Sequence, residues 1–83
     1  MWTFEAKNGA KIIFDDSTHK YLLCEGTIQD IISAAEEDLK DEDPAIFLMA
    51  AEVILKLFLY KEMTEEEVAV FIMAIISQIK EEL

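Results

Sequence analysis

Apolar and polar residues alternate at the start of the chain, and the alternation predicts a β-hairpin. Residues 2–6 and 10–14 both follow the two-residue period of a half-buried strand, and Asn8-Gly9 between them signals a tight turn. A two-residue loop would place the apolar side chains of the two strands on opposite faces. A three-residue loop of residues 7–9, with Gly9 left-handed in a bulge, places them all on one face, so we expect this loop. The expected pairs are Ala6 with Ala10, Glu5 with Lys11, Phe4 with Ile12, and Trp2 with Phe14.

A third strand is predicted over residues 20–25, although its alternation is weaker. It follows a polar turn at residues 15–19, whose side chains can bond their own backbone, and Gly26 closes it. We expect this strand to run antiparallel to the second. Residues 1–26 are therefore predicted to form a three-stranded antiparallel meander.

Three helix-start signals follow, and each precedes a run of apolar residues. Two are capping boxes, in which a threonine and an acid three residues later bond each other's backbone N–H. The other is an aspartate followed by a proline, which suits the first position of a helix. The first helix is expected to end near Leu39, the second at about Lys61, and the third among residues 80–82. The three signals are Thr27 with Asp30, Asp43 with Pro44, and Thr64 with Glu67.

The expected fold class is α+β, with a three-stranded meander followed by three helices. The length suits one domain, and no internal repeat or linker divides the chain. We therefore predict a single two-layer domain over residues 1–83, with the β-meander at residues 1–26 and the helices at residues 27–83.

The second and third helices are too apolar for ordinary surface helices. From Ala45 to Tyr60, 14 of 16 residues are hydrophobic, and from Val68 to Ile79 the count is 10 of 12. A surface helix needs an apolar stripe about 100° wide, whereas these two are apolar nearly all round. A chain of this size can hardly cover both, so we expect part of their surface to meet a partner.

The partner predicted from this surplus is a second copy of the chain, because most soluble oligomers are symmetric homo-oligomers. The alternatives are a different protein on the same surface, or a compact monomer in which the sheet and first helix cover more of it. Glu52 and Lys56, one turn apart with the glutamate first, are expected to pair and form the one polar ridge of the second helix. One side of that helix should lie on the sheet and another in the dimer. The predicted interface residues are Leu55, Leu59, Phe71, Ile72, Ile75 and Ile79.

Charge excludes some partners and suggests another. Eighteen acids against seven lysines give a net charge of −11, so direct binding to nucleic acid or to an anionic membrane is not expected. The apolar segments are also shorter than the roughly 20 residues that span a bilayer. The acids keep an apolar domain dispersed, or they bind a basic protein as a phage-type inhibitor that mimics nucleic acid would. The residues of this acidic patch are Glu36, Glu37, Asp38, Asp41 and Glu42.

Few groups suit catalysis, so we do not predict an enzyme. His19 and Cys24 are the only histidine and cysteine, and strand parity points them to opposite faces. We expect an exposed turn histidine and a small buried cysteine. A single cysteine and an amino terminus without a basic and apolar leader favour a cytoplasmic protein.

No metal, cofactor or small-molecule substrate is predicted. Two acid groups, one at residues 15–19 and one at residues 38–43, lack the glycine and glutamate of a calcium loop, and we expect solvated turns and caps there. The aromatic residues at helical spacing are expected in the core or an interface, and not in a ligand pocket. The predicted function is a small non-enzymatic interaction or regulatory protein. The aromatic residues concerned are Phe47, Phe58, Tyr60 and Phe71.

Overall fold

One face of a three-stranded sheet packs against helices, and this contact forms the hydrophobic core. The computed structural model describes residues 1–82, so Leu83, the end of the predicted domain, lies outside the described residues. The strands lie in the order β1-β2-β3 and both pairs are antiparallel, which confirms the predicted α+β fold. In chain order the elements are β1 (Trp2–Glu5), β2 (Lys11–Asp15), β3 (Lys20–Glu25), α1 (Ile28–Asp38), α2 (Pro44–Leu59) and α3 (Glu65–Glu82).

The hairpin between β1 and β2 has the predicted register and the predicted three-residue loop. The Ala6 N–H donates to the Ala10 carbonyl at 2.8 Å, and the Gly9 N–H donates back to the Ala6 carbonyl at 3.0 Å. Gly9 is left-handed, with φ of 90°. Phe4 pairs with Ile12, and both side chains are buried. The alternating apolar side chains of the two strands therefore share one face, as the three-residue loop predicts.

A β-bulge in β3 explains why its alternation is weak. Ile12 pairs with Leu23 and Lys11 pairs with Glu25, so Cys24 is an extra residue on β3. Cys24 follows Leu23, which pairs with the buried Ile12, so alternation along the strand points Cys24 outward. Cys24 is exposed, and the expectation of a buried cysteine is wrong. Leu22, two residues earlier, points away from the core.

The three predicted caps are present with good hydrogen-bond geometry. The backbone N–H of Asp30 donates to the Thr27 hydroxyl at 3.1 Å, and the Thr27 N–H donates to the Asp30 carboxylate at 2.9 Å. Thr64 and Glu67 repeat this arrangement at the start of α3. The Asp43 carboxylate accepts from the Ala45 N–H at 2.9 Å. Each cap satisfies backbone donors that a helix start leaves unpaired.

The chain leaves α2 two residues earlier than predicted because it makes a Schellman turn. The Glu62 N–H donates to the Leu57 carbonyl at 2.8 Å, and the Lys61 N–H donates to the Phe58 carbonyl at 3.0 Å. This turn needs a left-handed residue, and Lys61 takes that place with φ of 65°. Glycine is the usual residue here, since a side chain makes the left-handed region unfavourable.

The core joins the sheet to all three helices. Phe14 and Ile12 of β2 are fully buried, and α2 contributes three large side chains that are fully buried as well. Within residues 1–82 no helix has both the length and the apolar character needed to cross a membrane. The buried residues of α2 are Ala50, Val53, Ile54 and Leu57.

Replacing Gly26 by alanine should destabilise the fold much more than the same change at Gly9. Both glycines are left-handed, which costs an alanine about 1–2 kcal/mol. At Gly26 the added Cβ would also lie 2.9 Å from the Ala10 Cβ and 3.0 Å from the capping carboxylate of Asp30, whereas at Gly9 nothing lies within 4 Å. We expect Gly26→Ala to lower the free energy of unfolding in urea by about 3 kcal/mol and Gly9→Ala by about 1. Equal losses would contradict the crowding at Gly26.

Candidate functional site

A row of leucines on α2 remains exposed after the fold is complete. Leu48, Leu55 and Leu59 are separated by seven and four residues, so they lie on one face of the helix. Leu59 is 62% exposed, far more than a leucine of the core. The opposite face of α2 is the buried one, because it contacts the sheet and α1. The row is therefore largely apolar surface, interrupted by the exposed Glu52, and nothing in the described part of the chain covers it.

A row of isoleucines on α3 is exposed in the same way. Val68 is buried near the start of α3, and Phe71 and Ile75 are half-buried against the core. Beside this contact lie Ile72, Ile76 and Ile79, which follow one another at spacings of four and three residues and are exposed. Since α2 and α3 pack against each other, both rows belong to one helical pair. We define the α2–α3 surface as Leu48, Leu55, Leu59, Ile72, Ile76 and Ile79.

The structure exposes four of the six residues predicted for the dimer interface. Phe71 and Ile75 instead face the core, where they contact its buried side chains. The sequence did not single out Leu48 and Ile76, because a helix that is apolar all round does not show which side its own domain will cover. The four exposed residues are Leu55, Leu59, Ile72 and Ile79.

A second apolar feature is a groove between the end of α1 and the middle of α3. Its volume is about 270 Å³. The small side chains of Ala74 and Ser77 help to form it, and Leu39 and Phe71 line its apolar part. Val70 lies at this groove and Met73 lies farther round α3, and both are exposed. Apolar surface therefore extends beyond the α2–α3 surface.

The predicted polar ridge of Glu52 and Lys56 does not form. The Lys56 ammonium lies 2.9 Å from the Asp16 carboxylate, and the side chain is only 14% exposed. The same ammonium lies 5.4 Å from the ring centre of Trp2 and 5.7 Å from that of Phe14, within cation–π range. Lys56 thus joins α2 to the β2–β3 turn. Glu52 is exposed and does not pair with Lys56.

Two acids of the predicted acidic patch meet a lysine of the same chain. The side chain of Asp38 is buried, with the Lys7 ammonium 3.9 Å away, and burial raises the pKa of its carboxyl while Lys7 opposes that shift. Asp41 accepts from the Asp43 N–H and from Lys7, which lower its pKa. Two of the five predicted acids therefore bind the hairpin loop of this chain. The acids that remain exposed are Glu36, Glu37 and Glu42.

The structure does not bring His19 and Cys24 together. The His19 ring is exposed, as expected, but it stacks on Tyr60, with ring centres 4.4 Å apart and planes 12° from parallel. The Cys24 thiol lies 3.9 Å from the Leu22 carbonyl, too weak a contact to orient a nucleophile. No contact of the kind that activates a cysteine links the two described side chains.

The two acid groups considered for metals are occupied by other contacts. Asp15 binds Ser17, and Asp16 accepts from Lys56 and from Tyr60. The second group, at residues 38–43, caps α2 and binds Lys7. Among the residues that the structure describes, no three histidine, cysteine or acidic side chains converge as metal ligands do.

Tyr60 is the centre of a polar and aromatic cluster that the sequence did not reveal. Its hydroxyl donates to the Asp16 carboxylate at 2.7 Å, and its ring meets Phe14 edge-on at 5.0 Å. The hydroxyl of Tyr21 donates to Glu62 at 2.7 Å. These hydrogen bonds to carboxylates raise the pKa of Tyr21 and raise that of Tyr60 to about 12. The pKa of Asp16 is lowered, most by the hydrogen bond from Tyr60 and next by the hydrogen bond from Lys56.

Comparison with known proteins adds no relative to this description. No protein-family model matches the chain, and no curated protein or solved structure is similar to it. These comparisons therefore indicate no function for the chain.

The high pKa of Tyr60 can be measured in a chain that has no other tyrosine. In a Tyr21→Phe variant, near-ultraviolet absorbance should show one tyrosine that ionises at about pH 12. Adding Asp16→Asn should return that pKa toward 10, because the accepting carboxylate is gone. Since the folded pKa lies above the unfolded one, Tyr60 stabilises the fold below pH 10 and loses that effect as the pH rises through 12. Ionisation near 10 in both variants would contradict the Tyr60–Asp16 hydrogen bond.

Proposed function

We propose that this chain is a non-enzymatic interaction or regulatory protein that forms a homodimer through the α2–α3 surface. The observation that carries the proposal is the exposure of six large apolar side chains on two adjacent helices. A stable monomer rarely leaves such a group in water, because burying each apolar side chain is worth about 1.5–3 kcal/mol. A partner that covers this surface resolves the surplus.

Charge supports a second copy as that partner. Two chains that each carry −11 repel one another, so they can meet only where charge is low. From Val68 to Ile79 the chain holds no charged residue, so this part of α3 offers an uncharged face. On α2, Lys56 is bound to Asp16, and the exposed Glu52 is the one acid among the leucines. A two-fold axis that brings the α3 helices together would leave Glu52 and the other acids toward the rim.

The alternative of an acidic inhibitor receives less support. It needs a continuous negative surface, and Asp38 and Asp41 face Lys7 of the same chain. Only Glu36, Glu37 and Glu42 of that patch remain exposed to a basic partner. We place the dimer in the cytoplasm, where the exposed thiol of Cys24 would stay reduced.

The dimer can be tested by sedimentation equilibrium at micromolar concentration. We expect a mass of about twice 9.5 kDa for the natural chain. Leu59→Asp and Ile79→Asp should each raise the dissociation constant by at least about tenfold while circular dichroism keeps its helical signal. Both side chains point outward, so their replacement does not open the core. Ile75 is unsuitable, because it also packs on the core and a charge there would unfold the chain.

Leu22→Asp is the matched control. Leu22 is 64% exposed, as Leu59 is, but it lies on the outer face of the sheet. The same charge there should leave the dimer intact. A natural chain that sediments as a clean monomer, or a Leu22 variant that dissociates as readily as the Leu59 variant, would refute the proposed interface.

A further inference from the structure

A surface cavity lies where the β2–β3 turn meets the end of α2. Its volume is about 470 Å³, within the range of small-molecule sites, and it is separate from the α2–α3 surface. Its five lining residues include the only histidine, two of the seven lysines and both tyrosines. None of the eighteen acidic side chains is among them. The lining residues are His19, Lys20, Tyr21, Tyr60 and Lys61.

The acids nearest to this cavity already have partners. Asp16 accepts from Tyr60 and Lys56, and Glu62 accepts from Tyr21. Asp15, which is opposite Lys20 in the sheet, accepts from Ser17. Lys20 and Lys61, by contrast, form no salt bridge with any carboxylate among the residues that the structure describes. In a strongly acidic protein, two cations therefore line a cavity without a neutralising partner inside it.

The backbone supports a function for the same residues. His19 and Lys61 are the non-glycine residues with positive φ in the described chain, at 54° and 65°. Glycine would take either conformation with less strain, and strained residues tend to cluster at functional sites. Both of these residues line this cavity, one from the β2–β3 turn and one from the Schellman turn after α2. At each position a nitrogen-bearing side chain stands where a turn alone would favour glycine.

We infer that this cavity binds the dianionic head of a small phosphate monoester, with the ring of Tyr21 against the organic part. Three nitrogen-bearing side chains, from His19, Lys20 and Lys61, suit an anion with three terminal oxygens better than a carboxylate with two. Tyr21 and Tyr60 donate their hydroxyl protons to Glu62 and Asp16. Because His19 already stacks on the Tyr60 ring, the flat apolar contact comes from Tyr21. This activity is independent of the dimer, since no lining residue belongs to the α2–α3 surface.

Phenyl phosphate is the probe for this site, titrated at pH 7.5 and constant ionic strength. We expect saturable changes in the amide NMR shifts of residues 18–21 and 60–62, with weaker binding at higher salt. Inorganic phosphate should bind more weakly, because it lacks the ring. Phenol and benzoate should bind at least about tenfold more weakly, because they lack the dianion. Equal binding of benzoate or phenol, or no saturable shift at these amides, would overturn the assignment.

Lys61→Gly separates loss of binding from loss of structure. Glycine relieves the left-handed strain at this position, so the midpoint of thermal unfolding should rise by a few degrees. The same change removes a cation from the cavity, and the dissociation constant for phenyl phosphate should rise about tenfold. Lys20→Gln should weaken binding to a similar degree.

Lys40→Gln is the control, since Lys40 is exposed and lines the groove of α1 and α3 instead. It makes the same change in net charge and should leave the affinity for phenyl phosphate within about twofold. If Lys40→Gln weakens binding as much as Lys20→Gln and Lys61→Gly do, the cations act only through net charge and the site is refuted.

Discussion

The contact between α2 and the inner face of the sheet is the interaction on which the rest of this structure depends. Ile12 and Phe14 form one apolar face with Trp2 and Phe4 because of the three-residue hairpin loop, while Ile13 lies on the outer face of the sheet. That face covers one side of α2, with Lys56 fixing the helix to the β2–β3 turn through Asp16. The remaining helices then pack round α2, which makes it the central helix of the fold.

Once α2 is central, α3 must be peripheral. Within the described residues only the side of α3 that bears Val68, Phe71 and Ile75 meets the core. The isoleucines on the flank of α3 are exposed, as are the leucines of α2. The proposed dimer follows from this geometry, because a second copy would cover the side chains that α2 and α3 leave exposed.

Lysines are few, and most of their contacts join elements that are distant in the chain. Lys7 joins the hairpin loop to Asp38 and Asp41 near the end of α1, and Lys56 joins α2 to Asp16. These ion pairs explain why Lys56 does not pair with Glu52 and why Asp38 and Asp41 of the predicted acidic patch meet Lys7. Lys20 and Lys61 form no such pair within the described residues, and both line the cavity beside Tyr60.

The sequence by itself determined most features that depend on residues near one another in the chain. The Schellman turn after α2 is an exception, because Lys61 stands where glycine usually marks such a turn. The turn at Gly9, the caps at Thr27, Asp43 and Thr64, and the order of the elements all followed from local bonding and side-chain period. Tertiary structure alone decided which side of each apolar helix is covered and which carboxylate each lysine meets. The Lys56–Asp16 and Tyr60–Asp16 contacts join residues 40 and 44 positions apart, and no local pattern encodes such distances. A helix that is apolar all round has no hydrophobic periodicity to indicate which face is buried, so tertiary packing determines that face.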